Sequence, residues 1–599
     1  MMTLPIALTL GFLGIAGILR VTGRLRSDLT ALILLMVLGV AQLIPTPALF
    51  SGFGRSAVVL IIAVYLLAAG LEQTGAIRLL ADAGLRAAVG SERRIIVGVM
   101  SLAALLSLGL NTVVVVTLLL PGVLTIAQKS HLSPKRVLIP LAFGALLGGT
   151  ATLFTTANIL ASAALVDNGL PALTILDFFP AGALIALSGI AFMAVFGPYL
   201  LPSAPQPVRM PSDANRPLTE LYGMNNQITA LYVKPQSRLA GATLADGGWG
   251  RQLGLTVIGL SRGGVIHLAP PPEEVVRIGD VVLSVGHLDP TTMERFGLFP
   301  TEDPDWPMRL ASRNVNLVEV LPAPRSSVLG KTLSEINFRE KYALNVLAIW
   351  REGTTLQDGL ADRQLQLGDA LLLQGRRDRI AALRHDPDFL ILDEETGATP
   401  VTWRTWAALT LAVAALILPA TGILPIAEAT FAAAALMILL GCTTIERAYA
   451  AVDWKTVFTI AAIVPISLAL TGTGTAAWLS EQVTAAVGPL DGAAVGVTYF
   501  LLAVTLTQMV GGRVVAIVLA PIAIASGIAL GSDPRLLSIV VAWGCSTAFL
   551  TPGAHSANRL VMGPGGYHAG DFLRVGAPLT LVVFGVVMLY LLRFSGYAI

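Results

Sequence analysis

The chain reads as a polytopic α-helical membrane protein: two inverted repeats, about ten transmembrane helices plus two re-entrant hairpins, with an α+β soluble insert between the halves. Three observations predict this. Of 599 residues, 55% are hydrophobic and only 13% charged, with mean hydropathy +0.75; a soluble domain carries about 25% charged residues. The polarity profile has three parts, strongly apolar over 1–202 and 403–595 and polar, Pro-rich and strand-like over 203–402. The two apolar parts repeat each other.

In the first half, apolar runs predict spanning helices at about 4–20, 29–47, 55–74, 136–166 and 176–200. The stretch 94–128 differs, because Asn111-Thr112 interrupts its centre. Each arm has about 16 residues, roughly 24 Å of helix, against a hydrocarbon core of about 30 Å. A hairpin that re-enters on the same side fits these arms better than two crossings. The first run, Thr3 to Leu19, has no positive charge before it and Arg20, Arg24 and Arg26 after it, the reverse of a cleaved signal; it is expected to be the first membrane helix.

The second half repeats this order. NTVVVVTLLLP from Asn111 returns as GGRVVAIVLAP from Gly511, and Ala157-Asn158 returns as Ala557-Asn558, both at an offset of 400. DFFPAG from Asp177 returns as DFLRVG from Asp571 after a short gap. Five crossings per half, an odd number, would turn the second copy upside down. Basic residues agree with that topology. Loops assigned inside hold Arg20, Arg24, Arg26, Arg78, Arg86, Arg93, Arg94, Lys129, Lys135, Arg136, Arg447, Lys455, Arg559 and Arg574; those assigned outside hold Arg55, Arg535 and Arg593. Both termini are expected outside and the insert in the cytoplasm, in a multi-pass protein of the plasma (inner) membrane surrounded by lipid.

The insert is itself duplicated. Gly241, Leu244, Arg262, Gly279, Asp280 and Gly286 match Gly330, Leu333, Arg351, Gly368, Asp369 and Gly375, each pair 89 apart. Each unit reads as a strand, a helix near LADGGWGRQ or LSEINFREK, short strands, a Gly-Asp turn and a last strand. The domains are therefore 1–202, the first membrane repeat; 203–300 and 301–402, two small α+β modules; and 403–599, the second membrane repeat.

No phosphate loop, zinc spacing or nucleophile–histidine pair is present, so no enzyme is expected. Cys442 and Cys545 lie in apolar segments and suggest neither disulfide nor metal. A net charge of +2 gives no footprint for nucleic acid. His555 and His568, near a helix break, read as structural rather than as proton carriers.

The hairpin tips are better candidates. Broken helices free backbone N–H and C=O groups that only protein or a wet cavity can satisfy at membrane depth; helix N-termini there attract anions and freed carbonyls bind cations. The tips are Asn111-Thr112-Val113 and Gly511-Gly512-Arg513. GGTATLFTTANI from Gly148, with Thr155, Thr156 and Asn158, and STAFLTPGAHSAN from Ser546, with Thr551, Pro552 and Asn558, are expected to face them. Small-residue helix packing would explain one such segment, but four in matched positions point to a substrate site. Arg513 stands out, since an ionisable group in a membrane segment is costly and functional by default. With no acidic residue deep in the neighbouring membrane segments, it is expected to bind the substrate rather than to brace the hairpin.

At these residues the chain resembles the divalent-anion/sodium symporter family of the wider ion transporter superfamily. Its members carry a Ser-Asn-Thr-like motif at each tip, ten positions before a proline, and a Gly-Gly-Thr…Thr-Asn break in the next helix. Many bacterial members end close to FLTP…N…GPGGY…DFLRVG, matched here by Phe549-Leu550-Thr551-Pro552, Asn558, Gly563-Pro564-Gly565-Gly566-Tyr567 and Asp571-Phe572-Leu573-Arg574-Val575-Gly576. The resemblance covers both membrane halves. The insert resembles paired RCK-C (TrkA-C) domains of potassium-conductance regulators. What this implies is an anion bound between the tips, sodium ions beside it and elevator-like motion of a homodimer. Asn111, Thr112 and Gly149 would hold a first Na⁺. At the second tip Gly511-Gly512-Arg513 lacks the family's side-chain oxygens, and the fixed cation of Arg513 would stand in for the second ion.

The expected function is secondary active transport of a small anion of the sulfate or di/tricarboxylate class. Sodium coupling is expected to be reduced or absent. The insert would regulate it through dimerisation or a nucleotide or ion bound within 205–400. The alternatives are a cation transporter or channel gated by the insert, and an arsenite or cation/proton antiporter. The first has no Thr-Val-Gly-Tyr-Gly-like filter, and its acidic candidates, Glu72 and Glu428, lie near span ends. The second has no carboxylate at a tip.

Overall fold

The computed structural model describes residues 2–594 except 22–26, 89, 131, 203–227, 245, 250–252, 254, 264, 272, 286–289, 302–314, 324–325, 352–353, 358, 384–385, 387, 392–400 and 488–491. Arg24, Arg26 and Gly286 therefore lie outside the described residues. The first half contains α1 (Leu4–Val21), α2 (Ser27–Val40), α3 (Ser56–Gln73) and α4 (Ala76–Ala88). The helix pair α5 (Glu92–Leu106) and α6 (Thr112–Lys129) follows, then α7 (Leu138–Gly149), α8 (Thr156–Asp167) and α9 (Ile175–Leu200). The predicted span 136–166 is thus two short helices separated by an extended break.

In the insert, β1 (Ile228–Val233), β2 (Thr256–Arg262), β3 (Val265–Leu268), β4 (Val281–Val285), α10 (Pro290–Phe296) and β5 (Leu298–Thr301) form the first module. The second contains β6 (Val315–Pro322), α11 (Phe338–Tyr342), β7 (Asn345–Arg351), β8 (Thr354–Leu356), β9 (Ala370–Arg376), α12 (Arg377–Leu383) and β10 (Phe389–Ile391). The second membrane half runs α13 (Trp403–Ala420), α14 (Ile426–Leu439), α15 (Ile445–Ala450), α16 (Trp454–Gly472) and α17 (Thr475–Val487). After these come α18 (Gly492–Val510), α19 (Gly512–Leu530), α20 (Pro534–Ser546), α21 (Ser556–Gly565) and α22 (Ala569–Phe594). Among the described residues, 7 helices are long and apolar enough to cross a membrane. Both arms of the second pair, α18 and α19, are among them, so those arms are longer than the expected short hairpin.

The halves interlock. α3 packs against α14, α2 against α16, α8 against α19 and α9 against α22. Glycines set the closest approaches. A Cβ on Gly144 of α7 would lie 2.6 Å from Met100 Cα, and one on Gly148 would overlap the backbone of Ala104, so α7 lies directly on α5. Gly182 of α9 meets the Thr150 carbonyl and Gly576 of α22 meets that of Phe549, in each case with no room for a Cβ. These two glycines close the repeated motifs DFFPAG and DFLRVG, which fixes each long helix against a broken one.

The insert modules share one topology, with strand orders β3-β2-β4-β1-β5 and β10-β6-β9-β7-β8, the second the reverse listing of equivalent strands. Even the irregularity recurs, between Val257 and Gly259 and between Val346 and Ala348. The matched Arg and Asp residues form bidentate pairs: Arg262 to Asp280 at 3.0 and 2.8 Å, Arg351 to Asp369 at 2.8 and 2.7 Å. Hydrogen bonding to Asp280 holds the Arg262 guanidinium above its ordinary range. The helix expected at LSEINFREK shrinks to the five residues of α11. At LADGGWGRQ the described residues 246–249 are turns, because Gly247 and Gly248 weaken any helix there. The modules meet face to face through Ile258, Leu283, Leu347 and Leu372. The second also touches the membrane part, where Leu321 and Ala370 join the main apolar core.

Candidate functional site

The break between α5 and α6 and the break between α18 and α19 reach one cavity of about 420 Å³. From the first half it is lined by Asn111, Thr112, Thr155 and Thr156, from the second by Gly511, Gly512 and Arg513. Those seven sequence candidates come together. Val113, Asn158, Thr551, Pro552 and Asn558 do not line the cavity; they hold its walls.

Each wall is a broken helix secured in the same way. Asn158 is fully buried and its Nδ2 donates to the carbonyls of Gly149 (3.2 Å) and Thr152 (2.5 Å). Asn558, also fully buried, donates to Ala548 (2.7 Å) and Thr551 (3.3 Å). One amide thus ties the end of the first segment to the loop, which answers the backbone groups freed by the break. Thr152 Oγ1 fastens the first loop to the Leu108 carbonyl at 2.7 Å. Gln508 fastens the second: its Nε2 donates to the Thr547 carbonyl at 3.1 Å, and its Oε1 accepts the Leu550 N–H at 3.2 Å. Sequence reading missed Gln508, a lone amide in an apolar helix one turn before the tip.

The tips differ. Asn111 Oδ1 accepts the Val113 N–H at 2.9 Å and so caps α6. Gly511 has φ +84°, a conformation that favours glycine, and a Cβ on Gly512 would overlap the Cys545 carbonyl. The Gly-Gly pair therefore lets the second tip lie directly on the end of α20, where the first tip carries Asn111 and Thr112.

Arg513 follows in the first turn of α19. Its Nη1 donates to Thr456 Oγ1 at 2.6 Å, and that hydroxyl donates to Asp453 Oδ2 at 2.5 Å, Asp453 being the N-cap of α16. Two further groups that sequence reading did not place here line the cavity, His555 and Arg559. Arg559 had counted as a loop charge. It lies on α21, and its Nη2 donates weakly to the Gly553 carbonyl at 3.4 Å. Among the described residues, no carboxylate lies within ion-pair distance of Arg513 or Arg559, and none lines the cavity. The site thus carries two guanidinium groups, with helix N-termini of α19 and α21 directed at it, an arrangement suited to an oxyanion.

Among the described residues, the same region holds buried oxygens without a hydrogen-bond donor: Ser107 Oγ, Thr155 Oγ1 and Asn158 Oδ1 in the first half and Asn558 Oδ1 in the second, where Thr507 Oγ1 has only the Cys545 thiol beside it. Ser107 and Thr507, like Asn158 and Asn558, are 400 residues apart. Gly149 lies beside them, since a Cβ there would be 3.5 Å from Thr112 Oγ1. Neutral oxygens of this kind fit a hard cation such as Na⁺.

A second cavity, of about 470 Å³, lies beside the Arg55–Asp167 ion pair (2.9 Å) and is lined mainly by aliphatic side chains such as Leu60, Leu153 and Ile159. It lacks the converging donors of the first.

Two apolar halves around a central cationic cavity define a multi-pass membrane transport protein rather than an enzyme. The chain belongs to the citrate transporter (CitMHS) family, whose profile matches residues 18–544. It is similar along nearly its whole length to two uncharacterised transporters. One is from Synechocystis, 29% identical over 96% of this chain and 95% of that protein. The other is YfbS of Escherichia coli, 29% identical over 96% and 97%. Sodium/sulfate cotransporter 2 of Chlamydomonas reinhardtii is 30% identical over 46% of this chain and 32% of its own length.

Proposed function

We propose that the chain is a secondary active transporter of a small anion, sulfate or a di- or tricarboxylate, bound between the two tips. The observation that carries this is the cavity bearing Arg513 and Arg559 with, among the described residues, no carboxylate on its wall. A family named for citrate and a relative named for sodium and sulfate supply the candidate anions. A cation carrier would need the opposite charge at this point.

In our reading the halves are inverted repeats with re-entrant hairpins, and the walls of the cavity move as a block past α1–α3 and α13–α16 in an elevator-like motion within a homodimer. Contacts between elements agree with the proposed topology. Arg55–Asp167 and Arg535–Asp177 (3.1 Å) join ends assigned outside. Arg136–Glu92 (3.0 Å) and the Tyr567 hydroxyl, which donates to the Lys135 carbonyl at 2.8 Å, join ends assigned inside. Sodium coupling is weaker than the resemblance implies, because the second tip offers a guanidinium where the first offers Asn111 and Thr112. The buried oxygens of the first half would hold one Na⁺ as coupling ion.

The insert, cytoplasmic and RCK-C-like in this reading, regulates transport. A cavity of about 360 Å³ between its modules, lined by Trp249, Phe338 and Arg339, has room for a small regulatory ligand.

The test is a melting screen of the purified chain against anions with and without sodium, followed by uptake into proteoliposomes. Sulfate or a carboxylate should raise the melting temperature, and native affinity should depend little on sodium. Arg513→Asn should weaken anion binding or gain sodium dependence. No stabilising anion in a broad panel would sink the transport reading. Cooperative binding of two sodium ions would sink the role given to Arg513.

A further inference from the structure

His555 caps α21, its Nδ1 accepting the Ala557 N–H at 3.2 Å. An accepting Nδ1 is unprotonated, so the ring proton sits on Nε2, and that nitrogen is a donor. The side chain is on the cavity wall between elements that bring Arg513 (α19), Arg559 (α21) and Cys545 (α20) to the same space. A second proton on the ring would have to displace the Ala557 bond and place a third positive charge beside two guanidinium groups. Among the described residues, no carboxylate lines the cavity to offset that charge.

We infer that His555 is a third anion-binding group, held by its own cap as a neutral Nε2–H donor, and that the anion binds without uptake of a proton. This rests on the anion reading above and adds to it. Among the described residues that line the cavity, Arg513 and Arg559 carry its charge, and His555 contributes direction. His555 itself then carries no proton with the anion.

The tautomer also separates two functions that one substitution would usually confuse. Asparagine is a good N-cap, so His555→Asn keeps the bond to Ala557 but loses the longer reach of Nε2. His555→Gln keeps a donor at about the reach of Nε2 and weakens the cap. The experiment is calorimetric titration of the full-length protein in detergent with sulfate and with citrate. It is run in two buffers of different ionisation enthalpy and from about pH 6 to about pH 8, across the usual histidine range.

Native protein should show no net proton exchange attributable to the site and a flat affinity for sulfate. His555→Asn should melt close to the native protein yet bind about tenfold or more weakly, the usual effect of losing one hydrogen bond to a charged group. His555→Gln should recover part of that affinity while melting lower. Uptake of about one proton per sulfate, or native affinity in His555→Asn, would overturn the inference while leaving the anion site standing. Failure of the native protein to bind any anion would overturn the transport reading instead, and this inference with it.

Discussion

Gly563 marks the place where the insert meets the proposed anion site. It lies in the last turn of α21, and a Cβ there would overlap the carbonyl oxygen of Gly368, in the Gly-Asp turn of the second module. In return, a Cβ on Gly368 would lie 2.5 Å from the Arg559 carbonyl, and Trp350 stands 3.8 Å from where a Cβ on Gly566 would be. α21 also carries His555, Asn558 and Arg559. Replacing Gly563 by alanine therefore pushes the module off the helix that holds part of the anion site. Overpacking between two backbones costs about 1–3 kcal/mol, and the helix preference of alanine over glycine acts alike on the docked and undocked forms. The bias of about 1–3 kcal/mol changes the ratio of docked to undocked insert by about fivefold to about a hundredfold. Anion uptake and affinity are compared for the native chain, Gly563→Ala, Gly368→Ala and the double variant, alongside a chain lacking 205–400. Each single variant should shift transport towards the deleted chain. The double should be no worse than the stronger single, because both remove the same contact. Additive effects, or native behaviour in Gly563→Ala when the deletion alters transport, would refute the docking argument.

Three other outcomes follow from the geometry. Gly512→Ala should abolish anion-induced stabilisation with less effect on overall folding, since its Cβ would strike the Cys545 carbonyl and lift the second tip; intact anion binding would show that the tip is not needed close to α20. Tyr567→Phe removes the hydroxyl that donates to Lys135 and accepts the Ile139 N–H at 3.0 Å, so melting should fall by the equivalent of about 1–3 kcal/mol, and an unchanged melting temperature would deny that bond a structural role. Asp369→Asn leaves Arg351 without its bidentate carboxylate and should destabilise the second module by about 1.5–3 kcal/mol, the usual cost of losing hydrogen bonds to a charged group. Sulfate affinity should change far less, as measured by proteolysis and by binding on one preparation.

The matched residues were legible because each has a backbone or charge task that a change of side chain would undo. Gly182 and Gly576 admit a carbonyl where a Cβ would collide. Asn158 and Asn558 each close a broken helix with one amide. Arg262–Asp280 and Arg351–Asp369 recur as whole pairs, each with a buried aspartate and a partly exposed arginine. What escaped were residues whose work depends on where α21 lies. Arg559 sits close to a helix break and to GPGGY, and charge counting alone assigns it to a loop. Only the packing of α21 against α6 and α7 places it beside Arg513. The same holds for His555, whose capping role is visible in sequence only once the start of α21 at Ser556 is known. The expected helix in each insert module was overestimated because LADGGWGRQ and LSEINFREK are polar and periodic enough to read as helical. In the fold their apolar residues, Leu244 and Trp249 in one and Leu333 and Phe338 in the other, serve a sheet instead.

The asymmetry of the two tips bears directly on coupling. In the proposed reading, a transporter built from two copies of one unit would begin with two equivalent ion sites, and buried oxygens occur at matching positions of the two halves, Ser107 and Thr507, Asn158 and Asn558. The tips do not match. Asn111 spends its Oδ1 on the Val113 N–H, which leaves Thr112 and the neighbouring loop as oxygens for a cation, whereas Gly511 and Gly512 contribute no side chain and Arg513 contributes a charge. A cation held in the second half would stand near Arg513, and two unit charges about 6 Å apart repel by roughly 3 kcal/mol even at an effective dielectric constant of about 20. That is enough to lower its occupancy more than a hundredfold. The anion would then supply the compensation, since among the described residues no carboxylate lies within ion-pair distance of Arg513 or Arg559 and Arg513 reaches Asp453 only through the Thr456 hydroxyl. On this argument the order of binding is fixed as well: a Na⁺ in the second half, if it binds at all, follows the anion, and stopped-flow measurements should show that sodium added first leaves the rate of anion binding unchanged at the second tip. A rate that rises with sodium and saturates at two ions would mean that the guanidinium is turned away from the site and that the halves have kept their symmetry.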